Sequence, residues 1–307
     1  MKAVTYEEYG PPEVLQIGEV ETPSPGRSEV LVKIRTAIVS FGDCRMRSLD
    51  LSDIRFFERL FARLILGVRR PKRPVLGMGI SGEVVSVGSN VRRFKVGDSV
   101  VAGTWHKMQF GGYAEYICID EDGVIAQKPS SLTYDESVAA IGGVVALSFL
   151  RDANIRKGED VLIYGASGAV GTTAVQLAKY FGANVTAVCS GANIDLVRSL
   201  GADKVIDYTR EDFTTMNHRY NLVLDAVGKL TLSKVKNVLT TNGRYISALT
   251  SGHTPSGVKE LTYLLDLADK GLFKPVIDRI YPLDEIVEAH RYVDSGRKRE
   301  NVVLRIS

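Results

Sequence analysis

The chain has 307 residues, of which 45% are hydrophobic and 24% are charged, and its formal net charge is +3. This length can hold two domains of ordinary size, and the composition is typical of a globular enzyme or binding protein. A balance so close to neutral gives no reason to expect a nucleic-acid partner, and no apolar run is long enough to cross a membrane.

Three cysteines, Cys44, Cys118 and Cys189, lie far apart in the sequence. Their spacing indicates no disulfide framework, and the N-terminal residues lack a signal-peptide core. We therefore expect a cytoplasmic protein with reduced thiols.

The first part of the chain is predicted to be rich in short strands. Apolar segments at 30–35, 82–88, 94–103 and 111–119 are bounded or interrupted by glycines. The Gly97-Asp98 pair within 94–103 indicates a hairpin. Short strands with frequent glycine turns favour a small barrel.

A basic segment interrupts these strands. Residues 54–74 contain seven basic residues and one acidic residue, a local charge of +6. Apolar residues recur there at helical spacing, namely Ile54, Phe57, Leu60, Phe61, Leu64, Ile65 and Val68. Such a helix either packs its apolar face over a substrate cleft or lies on anionic lipid through residues 54–73. We favour packing, because amphipathic helices usually face a core.

Strands and helices alternate from residue 129 onward. A capped helix start near Pro129 is followed by predicted helices at 169–181, 194–200, 232–239 and 257–270 and strands at 185–189, 204–207, 221–225 and 244–248. This alternation predicts a parallel, doubly wound sheet. The tail adds a helix at 284–295 and a strand at 302–306.

The segment 161–171 reads as a buried strand, a glycine turn and a helix start. Gly165 would permit the sharp turn, Gly168 a close approach of backbone to a pyrophosphate, and Gly171 close packing of helix on strand. The full dinucleotide fingerprint would need a glycine at Ala166. We interpret the segment as a dinucleotide site; the alternative is a purely structural turn.

Several motifs together resemble those of the medium-chain dehydrogenase/reductase superfamily, on its zinc-free quinone oxidoreductase side. They are Val96–Asp98, Gly111–Tyr116, Gly165–Gly171, Leu200–Asp203, Val205–Tyr208, Asp225–Gly228 and Gly243–Tyr245. The resemblance implies an α/β fold: a doubly wound Rossmann nucleotide-binding domain at 126–272, and a β-rich GroES-like barrel substrate domain formed by 1–125 and 273–307.

The resemblance also implies site residues. Ser40 stands where the family often has an asparagine facing the substrate, and its hydroxyl can still donate a hydrogen bond. Asp43 matches the family, and we interpret it as fixing the loop rather than as an acid. The implied cofactor-binding residues are Val145, Gly165, Ala166, Ser167, Gly168, Ala169, Val170, Gly171, Ser190, Asn193, Tyr208, Val227, Gly228, Ser247 and Asn301.

The predicted cofactor is NADPH, with NADH possible but weaker. The second strand ends at Cys189 without the acidic residue that grips the ribose of NADH. Ser190 and Tyr208 match the family's 2′-phosphate pocket, whereas Asn193 stands where the family has a lysine. The preference for NADPH should therefore be modest.

No metal site is predicted. The histidines are scattered, and zinc-dependent relatives carry a cysteine at Ser40 and Gly-His-Glu at 77–79, where this chain has Gly-Met-Gly. The predicted function is zinc-independent, NADPH-dependent reduction of a quinone or α,β-unsaturated carbonyl. The alternatives are a nucleotide-binding protein with little turnover that acts through partners and, disfavoured by its ligand count, a zinc alcohol dehydrogenase.

The chain departs from the family at Ser40, Gly79 and Val145, and these departures predict less efficient catalysis. An apparent shortening after Ala248 removes a strand that often joins two subunits, so we expect a monomer or weak dimer.

Overall fold

The computed structural model describes residues 1–52, 56–105, 108–248 and 257–306. The chain divides into two compact units. The first comprises Met1–Ile141 and Ile277–Ser307, and the second comprises Gly142–Val276.

The secondary-structure elements are numbered in chain order. The strands are β1 Lys2–Thr5, β2 Gln16–Glu19, β3 Glu29–Val39, β4 Gly79–Val87, β5 Ser99–Gly103, β6 Tyr116–Asp120, β7 Val124–Gln127, β8 Asp160–Tyr164, β9 Asn184–Cys189, β10 Lys204–Asp207, β11 Tyr220–Asp225, β12 Leu239–Ser247, β13 Ile277–Pro282 and β14 Asn301–Arg305. The helices are α1 Phe41–Ser48, α2 Phe56–Leu66, α3 Tyr134–Ala139, α4 Val144–Asp152, α5 Ala169–Tyr180, α6 Ile194–Ser199, α7 Leu232–Val235, α8 Val258–Asp269 and α9 Ile286–Asp294.

The first unit is built on β-strands, as the sequence predicts. Its larger sheet runs β13-β14-β3-β4-β5-β7, with β6 paired to the first half of β3. All of these pairs are antiparallel except β13 with β14. The inward residues of β3, including Val30, Val32 and Ile34, are completely buried, because alternate side chains of a strand share one face.

The second unit carries the predicted parallel sheet. Its strand order is β10-β9-β8-β11-β12, and every pair is parallel. Apolar side chains from neighbouring strands, among them Leu162, Val188, Ile206 and Val223, form a buried core. The order reverses at β8, and in such sheets ligands bind beyond the carboxyl ends of the strands at the point of reversal.

The unit boundaries differ from those predicted at 125/126 and 272/273. The first boundary falls after Ile141 because α3 packs on the β-rich unit. There Thr36 Oγ1 donates to the Tyr134 carbonyl at 3.1 Å, and the hydroxyls of Ser81 and Ser137 lie 3.0 Å apart.

Two predicted elements are corrected. The run 94–96 is not a strand, since the turn at Gly97 hydrogen-bonds back to Val84 of β4 and pairing resumes only with β5. The helix predicted at 232–239 ends at Val235, and Leu239 opens β12, paired with Tyr220. The short strands β1, β2 and β13 and the helices α1 and α4 escaped the sequence patterns.

Helix α2 also departs from the expected packing. Leu60, Phe61 and Leu64 are 61, 66 and 55% exposed, so these three side chains of the predicted apolar face are not covered. Ile54 and the side chain of Phe57, also predicted on that face, lie outside what the structure describes. No helix within the described ranges combines the length and hydropathy that crossing a membrane requires.

Candidate nucleotide and substrate sites

The glycine loop between β8 and α5 is held by the end of β9. The N–H groups of Gly165 and Ala166 both donate to the Val188 carbonyl, at 3.0 and 3.1 Å. Gly165 has φ +75°, a left-handed conformation that favours glycine, and a Cβ there would lie 2.7 Å from Cγ1 of Val227. The loop is therefore a tight turn that only a glycine at this position allows.

Gly168 and Gly171 have different surroundings. A Cβ at Gly171 would lie 2.2 Å from the Gly165 carbonyl oxygen, so this glycine permits α5 to pack against the loop. A Cβ at Gly168 would have that same oxygen as its nearest protein atom, at 3.7 Å, and would otherwise enter open space. Gly168 caps α5, whose first turn carries N–H groups without intrahelical acceptors. This open cradle at a helix N-terminus fits a pyrophosphate.

The remaining candidate residues of the second unit gather at the same edge of the sheet. Ser190 follows β9, Tyr208 follows β10, Val227 and Gly228 follow β11, and Ser247 ends β12. They converge because the carboxyl ends of parallel strands meet at one edge.

Two candidates lie elsewhere. Val145 is a half-buried residue in the first turn of α4, which packs against α5. Asn301 is the first residue of β14 in the first unit. The second unit by itself therefore does not bring Asn301 together with the other cofactor candidates.

Asn193 links the glycine loop to the end of β9. Its Nδ2 donates to the hydroxyls of Ser167 and Ser190, both at 3.1 Å. Its Oδ1 is buried and lacks a hydrogen-bond partner within the described part of the chain. Because an unsatisfied buried acceptor is costly, the site fits a ligand that supplies a donor, as a ribose hydroxyl does.

Asp207 is a site residue that the sequence reasoning missed. It ends β10 directly beside Cys189 of β9, and a Cβ at Gly191 would lie 2.6 Å from its Oδ2. Hydrogen bonds from the side chain and backbone of Thr209, at 2.7 and 3.0 Å, lower the pKa of Asp207, so it is ionised. An ionised acid thus lies at the end of the strand next to the second strand, within the Val205–Tyr208 motif.

Asp225 organises the turn after β11. Its carboxylate accepts from the N–H groups of Val227 at 3.2 Å, Gly228 at 2.9 Å and Leu230 at 2.6 Å. Gly228 has φ +69°. The side chain is completely buried, so it shapes the backbone of the candidate site from below. Sequence reasoning treated Asp225 only as part of a family motif.

In the first unit, Ser40 and Asp43 form the capping box that begins α1. Asp43 Oδ2 accepts from the backbone N–H of Ser40 at 2.9 Å and from its hydroxyl at 2.5 Å, while Oδ1 accepts from Gly77 N–H at 3.0 Å. Burial raises the pKa of Asp43, and the hydrogen bonds from Ser40 and Gly77 oppose that rise. Asp43 therefore ties the start of α1 to residue 77.

The Ser40 hydroxyl has a single proton, and in this arrangement it lies in the bond to Asp43. Donation to a substrate oxygen, as expected from the sequence, requires the hydroxyl to leave that carboxylate. The segment 39–43 was interpreted as a loop. In the structure Val39 ends β3, Ser40 caps α1, and 41–43 form the first turn of that helix.

The donors around Ser40 do not fit zinc. Its Oγ lies 3.9 Å from Sδ of Met78, and neither is a usual zinc ligand. Cys44 is buried, with Sγ 3.4 Å from Nδ1 of His290, which also accepts from Arg47 at 2.9 Å. Within the described residues, no three histidine, cysteine, aspartate or glutamate side chains cluster to hold a metal. His106 and His253 lie outside the described residues.

Comparison with known proteins agrees with this architecture. A model of the alcohol dehydrogenase GroES-like domain matches residues 26–130, and models described as zinc-binding dehydrogenase match 169–267 and 249–304. Solanum lycopersicum 2-methylene-furan-3-one reductase is 33% identical over 99% of this chain and 79% of its own length. The Arabidopsis thaliana chloroplastic NADPH-dependent alkenal/one oxidoreductase is 30% identical over the same shares.

Among solved structures, the quinone oxidoreductase from Coxiella burnetii superposes with a TM-score of 0.83 at 27% identity, covering 100% of this chain and 99% of its own. The predicted fold class, a Rossmann-type unit with a GroES-like unit, is thereby confirmed. The chain belongs to the medium-chain dehydrogenase/reductase superfamily, among its quinone oxidoreductase-like members.

Proposed function

We propose that this protein is a nicotinamide-dependent oxidoreductase that transfers a hydride to a quinone or an α,β-unsaturated carbonyl compound without using zinc. The observation that carries the proposal is the open cradle at Gly168, set at the reversal point of a parallel sheet. The names of the relatives support the substrate class, since they include an alkenal/one oxidoreductase and a quinone oxidoreductase.

The nucleotide half of the mechanism rests on the second unit. When bound, the nicotinamide supplies the hydride. The first turn of α5 binds the pyrophosphate through backbone N–H groups, and Gly168 leaves the room for it. Asp225 holds the turn at Val227 and Gly228 in shape, so this part of the site needs little reordering on binding.

The substrate half is assigned to the start of α1. Charge that collects on a substrate oxygen is stabilised by a hydrogen-bond donor. Ser40 is the proposed donor, and Asp43 is a positioning residue that holds the Ser40 backbone through its N–H. Within the described residues no three potential metal ligands cluster here, and the proposed mechanism uses no metal.

The preferred cofactor is proposed to be NADPH, with an affinity only modestly higher than that for NADH. Ser190 and Tyr208 fit a 2′-phosphate, and the related alkenal/one oxidoreductase is NADPH-dependent by name. Two features reduce the margin: Asn193 lacks a positive charge, and the ionised Asp207 lies beside Gly191. An anionic neighbour disfavours a second anion.

Assembly as a monomer or weak dimer and a cytoplasmic location are also proposed. The apparent shortening after Ala248 falls on residues 249–256, outside the described residues. Within the described part of the chain, β12 is the last strand on its side of the parallel sheet.

The test is to follow cofactor oxidation with the purified protein. NADPH and NADH are each mixed with a panel of quinones and alkenals, and cofactor binding is measured separately. Turnover with at least one acceptor class supports the reductase. Tight NADPH binding with no oxidation across the panel supports the alternative, a nucleotide-binding protein that acts through partners.

A further inference from the structure

Three large apolar side chains of helix α2 are exposed to solvent. Leu60, Phe61 and Leu64 are each more than half exposed, and Val68, just beyond the helix, is 57% exposed. At about 100° per residue Leu60, Phe61 and Leu64 share one side of the helix, and Val68 follows the turn at Gly67. A contiguous apolar patch on the surface marks an interaction site more often than a lone exposed residue does.

Polar contacts anchor the end of this helix. The Tyr9 hydroxyl lies 3.0 and 3.2 Å from the carbonyls of Leu66 and Gly67, and the Lys72 N–H donates to the Leu66 carbonyl at 2.8 Å. Gly67 ends the helix with φ +124°, where a Cβ would lie 2.0 Å from the Arg70 carbonyl oxygen. These contacts anchor the C-terminal end of the helix to the first unit.

Basic residues accompany these apolar residues along the chain. The exposed ones within and after the helix are Arg59, Arg63, Arg69, Arg70, Lys72 and Arg73. Three acidic residues, Glu7, Glu8 and Glu13, line a surface depression together with Arg70, and Glu58 belongs to α2 itself. Arg70 is therefore partly neutralised, and Arg63, Arg69, Lys72 and Arg73 carry most of the positive charge beside the apolar patch.

We propose that this α2 surface, formed by Leu60, Phe61, Leu64 and Val68 with Arg63, Arg69, Lys72 and Arg73, binds the surface of an anionic lipid bilayer. A helix with an apolar side flanked by basic residues lies in the plane of the membrane interface, with its apolar side chains among the headgroups. Basic residues near an anionic leaflet add attraction that falls off within a Debye length. The positive charge commits the surface to an anionic membrane rather than to a neutral one.

The experiment measures co-flotation of the full-length protein with vesicles of phosphatidylcholine alone and with added phosphatidylserine. We expect binding to the phosphatidylserine vesicles, at least about tenfold weaker binding to phosphatidylcholine alone, and release by high salt. The variant Phe61→Ser/Leu64→Ser should lose about tenfold or more in binding, and Arg69→Gln/Arg73→Gln should lose a similar factor.

Matched controls come from exposed residues elsewhere. Val96→Ser, at a side chain that is 60% exposed, should bind like the wild type, as should Arg198→Gln. Because the substituted side chains are exposed, the thermal midpoint of every variant should match the wild type.

Three results would overturn the proposal. The first is no binding to either vesicle, and the second is equal binding to both. The third is binding by Phe61→Ser/Leu64→Ser that equals binding by the wild type. Self-association that disappears in Phe61→Ser/Leu64→Ser, without vesicle binding, would identify a second copy of the chain as the occupant. The assay reads binding and not turnover, so its outcome is independent of the proposed reductase activity.

Discussion

Replacing Gly168 with valine should weaken cofactor binding while leaving the fold intact. Gly168 has φ −86° and ψ 172°, which any residue adopts, and a Cβ there meets only the Gly165 carbonyl oxygen at an ordinary 3.7 Å. The free energy of unfolding should therefore change by less than about 1 kcal/mol.

The cost to binding follows from the space that the side chain would fill. A valine would displace the pyrophosphate from the first turn of α5 and remove at least one charge-assisted hydrogen bond, worth about 1.5–3 kcal/mol. That corresponds to roughly a tenfold to hundredfold increase in the NADPH dissociation constant. Titration calorimetry measures the constant, and urea unfolding measures stability.

Two glycines provide matched controls. Gly171→Ala places a Cβ 2.2 Å from the Gly165 carbonyl oxygen, so it should lower the free energy of unfolding by about 1–3 kcal/mol. Gly18→Val, with nothing within 4 Å of its Cβ, should leave cofactor binding unchanged. Wild-type NADPH affinity in folded Gly168→Val would falsify the assignment of this loop as the pyrophosphate site. The loop would then be a structural turn.

Three further predictions concern the cofactor, the metal and pH. NADPH should bind more tightly than NADH, and Asn193→Lys should widen the ratio of the two dissociation constants measured at fixed salt; equal affinities would contradict the pocket assignment. Metal analysis should find no stoichiometric zinc, and chelators should leave turnover intact; one tightly bound zinc per chain would contradict this. Burial, and next the Arg47 charge, lower the pKa of His290 from 6.5 to about 3, so its contribution to stability is complete above pH 6.5 and is lost as pH falls toward 3, by up to about 1.4 kcal/mol per pH unit. His290→Asn should flatten the dependence of the free energy of unfolding on pH between 6.5 and 3, because the titrating group is removed. The raised pKa of Asp43 changes stability with pH in the opposite direction and cannot produce the same slope. An identical slope in the variant would rule out His290 as the cause.

Local patterns in the sequence predicted the parallel sheet and the glycine loop. Strand, turn and helix follow one another at 161–181 within about twenty residues, so hydrophobic periodicity and the demand for glycine at Gly165 are visible without tertiary contacts. The same local logic predicted a capped helix start near Pro129, and the structure places that cap at Thr133 and Glu136, which form the capping box of α3.

The tertiary structure decided the features that depend on distant neighbours. Asp207 reaches the candidate site only because β10 pairs with β9 in a register that places it beside Cys189. The Ser40 hydroxyl donates to Asp43 because burial and the Gly77 N–H hold that carboxylate in place. Gly77 is 34 residues from Asp43 along the chain. In α2, Leu60, Phe61 and Leu64 are exposed, and Tyr9 anchors the end of the helix by binding its last carbonyls. Periodicity shows that a helix has two faces, whereas contacts between residues far apart in the chain determine which face is covered.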